Sequence, residues 1–387
     1  MIRKITLLAV FISASLNAQV VPTLLNNLSD GQLYEGYSDM ALYNNDMYIS
    51  NSDSGAIIKV GVDSPDQEPS LVLSNLSFPT GLAVYGTDLY FFQGADQMFT
   101  MNSGSLWKLD LTNPAATPIE LMGGLSFPTE IEVSGTNVYL SENIITMAGG
   151  LDHGQVSLIS LAGTPTKTIL YDDLFSLDDL ELNGNDLYLL EWKESTDQTT
   201  IYKLDVTSGT PVTPTVYYND TEGYYPWRME IMNNMLYFNL DSSDQTAVMA
   251  LDLNATNPTA TIVVTPFEFN GQGVYVDEII VTPSNMLYAF GSMFDGTDAY
   301  YLLYNADLTS LGTVTNDVRV ASAYPNPCVD VLNVSGIETA SAFKVYDLSG
   351  KQVLSGMTTG TIETAKLVSG VYFISVEGFA TLKFIKQ

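Results

Sequence analysis

The chain has 387 residues, 44 of them acidic against 14 basic, for a net charge of −30. A field of that sign repels phosphate backbones, which excludes nucleic acid as a partner, and it attracts cations. Apolar residues make up 46% and the mean hydropathy is slightly positive, so the chain can bury a core and is not disordered. Cys328 is the single cysteine, so no intramolecular disulfide forms.

The N-terminus reads as a signal peptide, residues 1–18. Arg3 and Lys4 give a positive start, Ile5 to Leu16 form an apolar run too short to span a bilayer, and Ala18 precedes a cut at Gln19. Removing Arg3 and Lys4 with that segment takes the net charge to −32. No cysteine follows the run to carry a lipid anchor, and no later stretch approaches 18 consecutive apolar residues. The mature chain is therefore expected to carry no transmembrane segment.

Residues 19–314 repeat. Gly81-Leu82-Ala83-Val84-Tyr85-Gly86-Thr87-Asp88-Leu89-Tyr90 recurs as Glu130 to Tyr139 and as Asp179 to Tyr188, with looser copies ending at Tyr48, Tyr237 and Tyr288. The tyrosines fall 42, 49, 49, 49 and 51 residues apart. Each unit holds two alternating strands joined by a Gly/Asn turn, a third strand such as Leu106 to Leu111, and a fourth such as Pro214 to Tyr218. Four strands per unit at this period predict an all-β fold, a six-bladed β-propeller. Val20 to Leu28 resembles the outer strand of a unit, Pro69 to Leu76, and is expected to complete the last blade and close the ring.

Chemistry in such a ring belongs at the channel mouth, where the first strands of the units start. Nine residues before each tyrosine lie Asp39, Gly81, Glu130, Asp179 and Arg228, and Glu278 takes that place in the last unit with one inserted turn residue. The carboxylates Asp39, Glu130, Asp179 and Glu278 form a hypothetical calcium site, because calcium takes hard oxygen ligands. The architecture resembles that of the calcium-dependent lactonases, although Tyr37-Ser38-Asp39 stands where that family has Glu-Gly-Pro. The alternative function is thus a calcium-dependent hydrolase working at the channel mouth. His153 is the one histidine, which leaves zinc or copper without its usual ligands, and no G-x-S-x-G surrounds a serine.

Tyr224-Tyr225-Pro226-Trp227-Arg228 leads into the fifth unit where others have Phe78-Pro79-Thr80 and Phe127-Pro128-Thr129. Aromatic faces beside an arginine suit stacking and hydrogen bonding to sugars or peptide side chains, so Tyr224, Trp227 and Arg228 are candidate ligand-binding residues. No catalytic residue is assigned. The favoured reading is a binding module that recognises a glycan, a peptide or a surface protein.

Residues 315–387 comprise a linker and a final module. Tyr324-Pro325-Asn326-Pro327, Asp330-Val331-Leu332, Val345-Tyr346-Asp347-Leu348-Ser349-Gly350-Lys351, Gly370-Val371-Tyr372-Phe373-Ile374 and Lys383-Phe384-Ile385-Lys386 occur in that order at the chain end. This pattern resembles the type IX secretion C-terminal sorting domain, with Tyr324, Pro325, Asn326, Pro327, Asp330, Asp347, Gly350, Lys351, Gly370, Tyr372 and Lys386 on its motifs. The resemblance implies a small immunoglobulin-like β-sandwich and passage through the periplasm. It also implies recognition by the outer-membrane secretion machinery and a cell-surface or extracellular destination.

Overall fold

A computed structural model describes residues 19–28, 37–94, 102–145, 151–175, 177–193, 198–208, 212–219, 226–242, 245–255, 258–311, 323–335, 337, 341–347, 352–376 and 382–387. The chain divides into two compact units, Met1–Leu311 and Gly312–Gln387. The expected signal peptide lies outside the described residues, as does most of the expected linker.

In the first unit the described residues form six four-stranded antiparallel sheets, here called blades 1 to 6. Each blade is a meander. Blade 1 runs Tyr37–Tyr43, Asp46–Asn51, Ala56–Gly61 and Ser70–Leu73, and blade 2 runs Thr80–Tyr85, Asp88–Gln93, Gly104–Asp110 and Ile119–Leu125. The inner strands of blades 3, 4 and 5 are Pro128–Ser134, Leu177–Asn183 and Met229–Met232. Blade 6 takes its inner three strands from Tyr275–Val281, Met286–Phe294 and Ala299–Asp307, and its outer strand from Thr23–Asn27 at the other end of the sequence. Inner strands of consecutive blades pack side by side, and that of blade 6 packs on that of blade 1, so the sheets close into a ring.

The core lies between blades, because each sheet has two apolar faces and each is covered by a neighbour. Ala41, Tyr48 and Ile57 of blade 1 pack on Leu82, Leu89, Phe91 and Leu109 of blade 2. Leu25 and Leu28 sit with Phe290 and Leu303 of blade 6 and with Ile49 and Ile58 of blade 1. All six repeat tyrosines, Tyr48, Tyr90, Tyr139, Tyr188, Tyr237 and Tyr288, are buried.

The second unit is a β-sandwich. Ala323–Tyr324, Val331–Val334 and Thr361–Glu363 form one sheet, and Gln352–Thr358, Ser341–Asp347, Gly370–Val376 and Leu382–Lys386 form the other. Leu332, Val345, Ile374 and Phe384 are in the core between them, with Cys328 fully buried. The motifs at the two ends of this module meet in space. The Asn326 amide accepts from the Ile385 N–H at 2.9 Å and donates to the Lys383 carbonyl at 3.1 Å. Tyr372 stacks on Phe384 and donates its hydroxyl to the Val368 carbonyl. Gly350 and Lys351 lie outside the described residues, and of Asp347 only the backbone is described.

Candidate functional site

A strand on the hub of a propeller has one free edge, and its N–H groups need partners there. The inner strands meet this need with a β-bulge and a carboxylate. The ladder slips between Tyr37 and Asp39, Thr80 and Leu82, Pro128 and Ile131, Leu177 and Asp179, and Val276 and Glu278. Each slip falls at the expected channel residue, and a bulge of this kind re-aims the side chain. The tyrosine register thus brings Asp39, Glu130, Asp179, Arg228 and Glu278 to one level of the channel, all with low exposure.

At that level Arg228 is the centre. Its guanidinium binds Glu130 Oε1 of blade 3 at 3.0 Å and Glu278 Oε2 of blade 6 at 2.7 Å. It also donates to the Asp178 carbonyl of blade 4 at 3.0 Å and to the Trp227 carbonyl at 3.1 Å. Burial opposes its charge, and Glu130, Glu278, Asp179 and Asp39 together outweigh that and hold it protonated. The two aspartates turn to backbone. Asp39 accepts from Met40 N–H at 2.6 Å and Leu82 N–H at 2.5 Å, and Asp179 accepts from Leu180 N–H at 2.7 Å and Met229 N–H at 2.5 Å.

Gly81 explains why blade 2 contributes no carboxylate. It has φ +49°, and a Cβ there would lie 2.6 Å from the Thr129 carbonyl oxygen and 2.7 Å from the Phe92 ring. Glycine is what lets the bulged strand approach blade 3 so closely.

A second tier was missed by the sequence reading. Glu132, Glu181 and Glu230 stand two residues beyond Glu130, Asp179 and Arg228, so the period of two puts them on the same channel face. The signal was in the repeats, as acid-apolar-acid in Glu130-Ile131-Glu132 and Asp179-Leu180-Glu181. Each binds a backbone N–H of the next blade, Glu132 that of Leu182, Glu181 that of Ile231, and Glu230 that of Val281. Glu132 and Glu181 also lie side by side, where burial first and then the charge of Glu132 raise Glu181.

The two tiers line a cavity of ≈ 390 Å³ that runs toward the hairpin turns, past Leu42, Val84 and Met232 to Thr282 and Pro283. Among the described residues that border it are seven carboxylates, two of them paired with Arg228. Burial pushes Asp39 and Glu132 up to about 7, and Asp179 and Glu278 up to about 8. Burial also raises Glu130, Glu181 and Glu230.

The first-tier carboxylates do not fit a calcium ion. Asp39 and Asp179 have both oxygens on backbone N–H groups, Glu278 divides its pair between the Ile279 N–H and Arg228, and Glu130 is held by Arg228. Among the described residues no group of three or more His, Cys, Asp or Glu is arranged to hold a metal ion. A carboxylate raised in a cleft is a common mark of catalysis, but here each of the seven has a partner in the scaffold.

Trp227 joins this network through its backbone. Its N–H donates to Asn239 Oδ1 at 2.8 Å, and the residue is 44% exposed at the mouth. Arg228 lies beneath it and points into the ring, so the two candidate ligand-binding neighbours have different surroundings. Tyr224 lies outside the described residues.

The fold and its hub define a β-propeller protein with a β-sandwich at its C-terminus. Residues 322–387 match the family of secretion system C-terminal sorting domains, so the chain carries that domain and is exported by type IX secretion. No curated protein sequence matches the chain. Solved structures similar to it include the soluble aldose sugar dehydrogenase of Escherichia coli in its apo form. That match has 10% identity, covers 75% of this chain and 100% of the other, and has a TM-score of 0.51. The PQQ-bound aldose sugar dehydrogenase of Streptomyces coelicolor is 12% identical over 75% of this chain and 99% of its own, with a TM-score of 0.50. Regucalcin, a calcium-binding protein of Agrobacterium tumefaciens, is 11% identical over 75% and 97%, with a TM-score of 0.47. At these identities the likeness to the two dehydrogenases is one of fold. Among the described residues no helix is long and apolar enough to cross a membrane.

Proposed function

We propose that this protein is an exported recognition module, displayed at the cell surface or released, whose propeller binds a ligand at the channel mouth around Trp227. The observation that carries this reading is the division of labour at the hub. Arg228 spans the channel between blades 3 and 6 and is engaged on all sides. Trp227, one residue away, is partly exposed. A buried arginine with its donors satisfied holds the mouth in shape, and an exposed tryptophan on a rigid scaffold is a common binding anchor.

Glycan and peptide arrays probed with the full chain test this, with Trp227→Ala alongside. A ligand retained by the wild type and lost by the variant supports the reading. Turnover of a lactone or glycoside that Glu130→Gln abolishes, with no ligand lost in Trp227→Ala, overturns it. For the C-terminal half of the proposal, a chain ending at Asn316 should accumulate inside the cell envelope, and surface delivery of that truncated chain would refute the sorting role.

A further inference from the structure

Three blades in succession place an aromatic side chain where the inner strand begins. Phe175 precedes the inner strand of blade 4, Trp227 that of blade 5, and Tyr275 opens that of blade 6. They are 40%, 44% and 51% exposed. The inner strands of these blades are neighbours in the ring, so the three rings occupy one sector of the mouth. Phe294, 66% exposed, is at the end of the second strand of blade 6 on the same face.

Among the described exposed side chains the charge around this sector is negative. Asp172, Asp173, Glu268, Asp277, Asp295 and Asp298 are exposed on the loops and strand ends of this face. The propeller cations whose side chains are described are all in ion pairs. Lys59 is paired with Asp46, Lys108 with Asp88, Lys167 with Glu142, Lys203 with Asp186, and Arg228 with Glu130 and Glu278. Exposed aromatic faces on a surface that also carries carboxylates attract a cation twice, through the ring quadrupole and through Coulomb attraction. A neutral glycan would use the rings and leave the acids idle, and an anionic one would be repelled.

We propose that the mouth at blades 4 to 6 binds a basic polypeptide segment, its lysine or arginine side chains stacking on Phe175, Trp227 and Tyr275 within the surrounding carboxylates. The inference rests on the mouth being the recognition surface and adds the chemistry of the partner. Binding weakens as salt rises, because the acids on this face are exposed.

The test is a titration of the full chain with an oligopeptide of alternating lysine and serine, with its glutamate counterpart, and with a neutral chitin or cellulose fragment. The lysine peptide should bind and the glutamate peptide should not. Trp227→Ala and Tyr275→Ala should each weaken binding by about two- to fivefold, and the double variant by about tenfold. Ile119→Ala, on an outer strand and also exposed, should change nothing. Each of the three positions is partly exposed, and thermal unfolding checks that each variant folds. Equal binding of the lysine peptide by wild type and double variant would mean attraction to the acidic surface alone and would overturn the proposal. Binding of the neutral fragment, lost in Trp227→Ala, with none of the lysine peptide, would overturn it while leaving the recognition reading intact.

Discussion

Arg228→Met removes the one cation of the hub while keeping much of the side-chain volume. The guanidinium links blade 5 to Glu130 of blade 3, Glu278 of blade 6 and the Asp178 carbonyl of blade 4. Breaking a buried ion pair by deleting one partner costs about 3–5 kcal/mol, because the remaining charges stay buried without compensation. Unfolding entropy of about 2 cal/mol/K per residue over a ring of this size makes that a fall in Tm of roughly 5–8 °C. The loss has a pH signature. With Arg228 gone, Glu130 and Glu278 relieve their charge by taking protons, so the penalty is smaller at pH 5 than at pH 8. The wild type runs the same way more weakly. Asp39, Glu132, Asp179 and Glu278 titrate at about 7 to 8 in the folded chain, above their ordinary values. Between about pH 4 and pH 8 the folded state binds more protons than the unfolded one, so stability falls as pH rises through that window. Calorimetric melting of both chains from pH 5 to pH 8.5 measures this. A variant that melts within a degree of wild type, or whose deficit is the same at both ends of the range, would refute the role assigned to the arginine.

Two further outcomes follow from the fold. Gly81→Ala places a methyl group 2.6 Å from a carbonyl oxygen at positive φ, so urea unfolding should show a loss of about 2–4 kcal/mol; a neutral result would mean the bulge relaxes freely. Deleting Val20 to Asn27 strips the outer strand from blade 6 and removes Leu25 from its core, and should lower Tm by about 5 °C or more; an unchanged melting curve would sink the closure.

The blades were legible because the tyrosine period and the alternating strands are local patterns. The same register located the bulged hub positions, since a hairpin with a short turn fixes how far a residue lies from its neighbour. What the carboxylates do there was not legible. Asp39 reads as a ligand in sequence, yet its oxygens are held by Met40 and Leu82. That second contact joins residues 43 apart, and no local pattern announces which backbone N–H will lack a partner. Arg228 was singled out as a departure from the repeat and grouped with Trp227 for binding. Its network across four blades depends on the width of the channel, which only the closed ring defines. In the C-terminal module the order of motifs was visible, but not that Asn326 would clasp the last strand.

The acidity of the chain is unevenly placed, and the hub supplies part of the reason. Residues 322–387 hold five acids and five bases, while residues 19–321 hold 39 acids and seven bases. Seven of those acids line the channel, and most of them act in one direction around the ring. Asp39 of blade 1 reaches Leu82 of blade 2, Glu132 of blade 3 reaches Leu182 of blade 4, Asp179 and Glu181 of blade 4 reach Met229 and Ile231 of blade 5, and Glu230 of blade 5 reaches Val281 of blade 6. Blade 2 reaches blade 3 through Thr80, whose hydroxyl donates to the Pro128 carbonyl. A carboxylate suits this task because it accepts from two N–H groups at once, its own strand's and its neighbour's. At the seam from blade 6 to blade 1 Glu278 does not reach onward in this way but turns to Ile279 and Arg228. The N-terminal strand does that work at the rim. Leu25 accepts from the Asp66 N–H of blade 1 through its carbonyl, the Asn26 amide donates to the Gln67 carbonyl, and Leu25 and Leu28 fill the core between the two blades. At this seam the ring is therefore closed at its rim by the hydrogen bonds and packing of the N-terminal strand, and loss of that strand should open it there before any other seam.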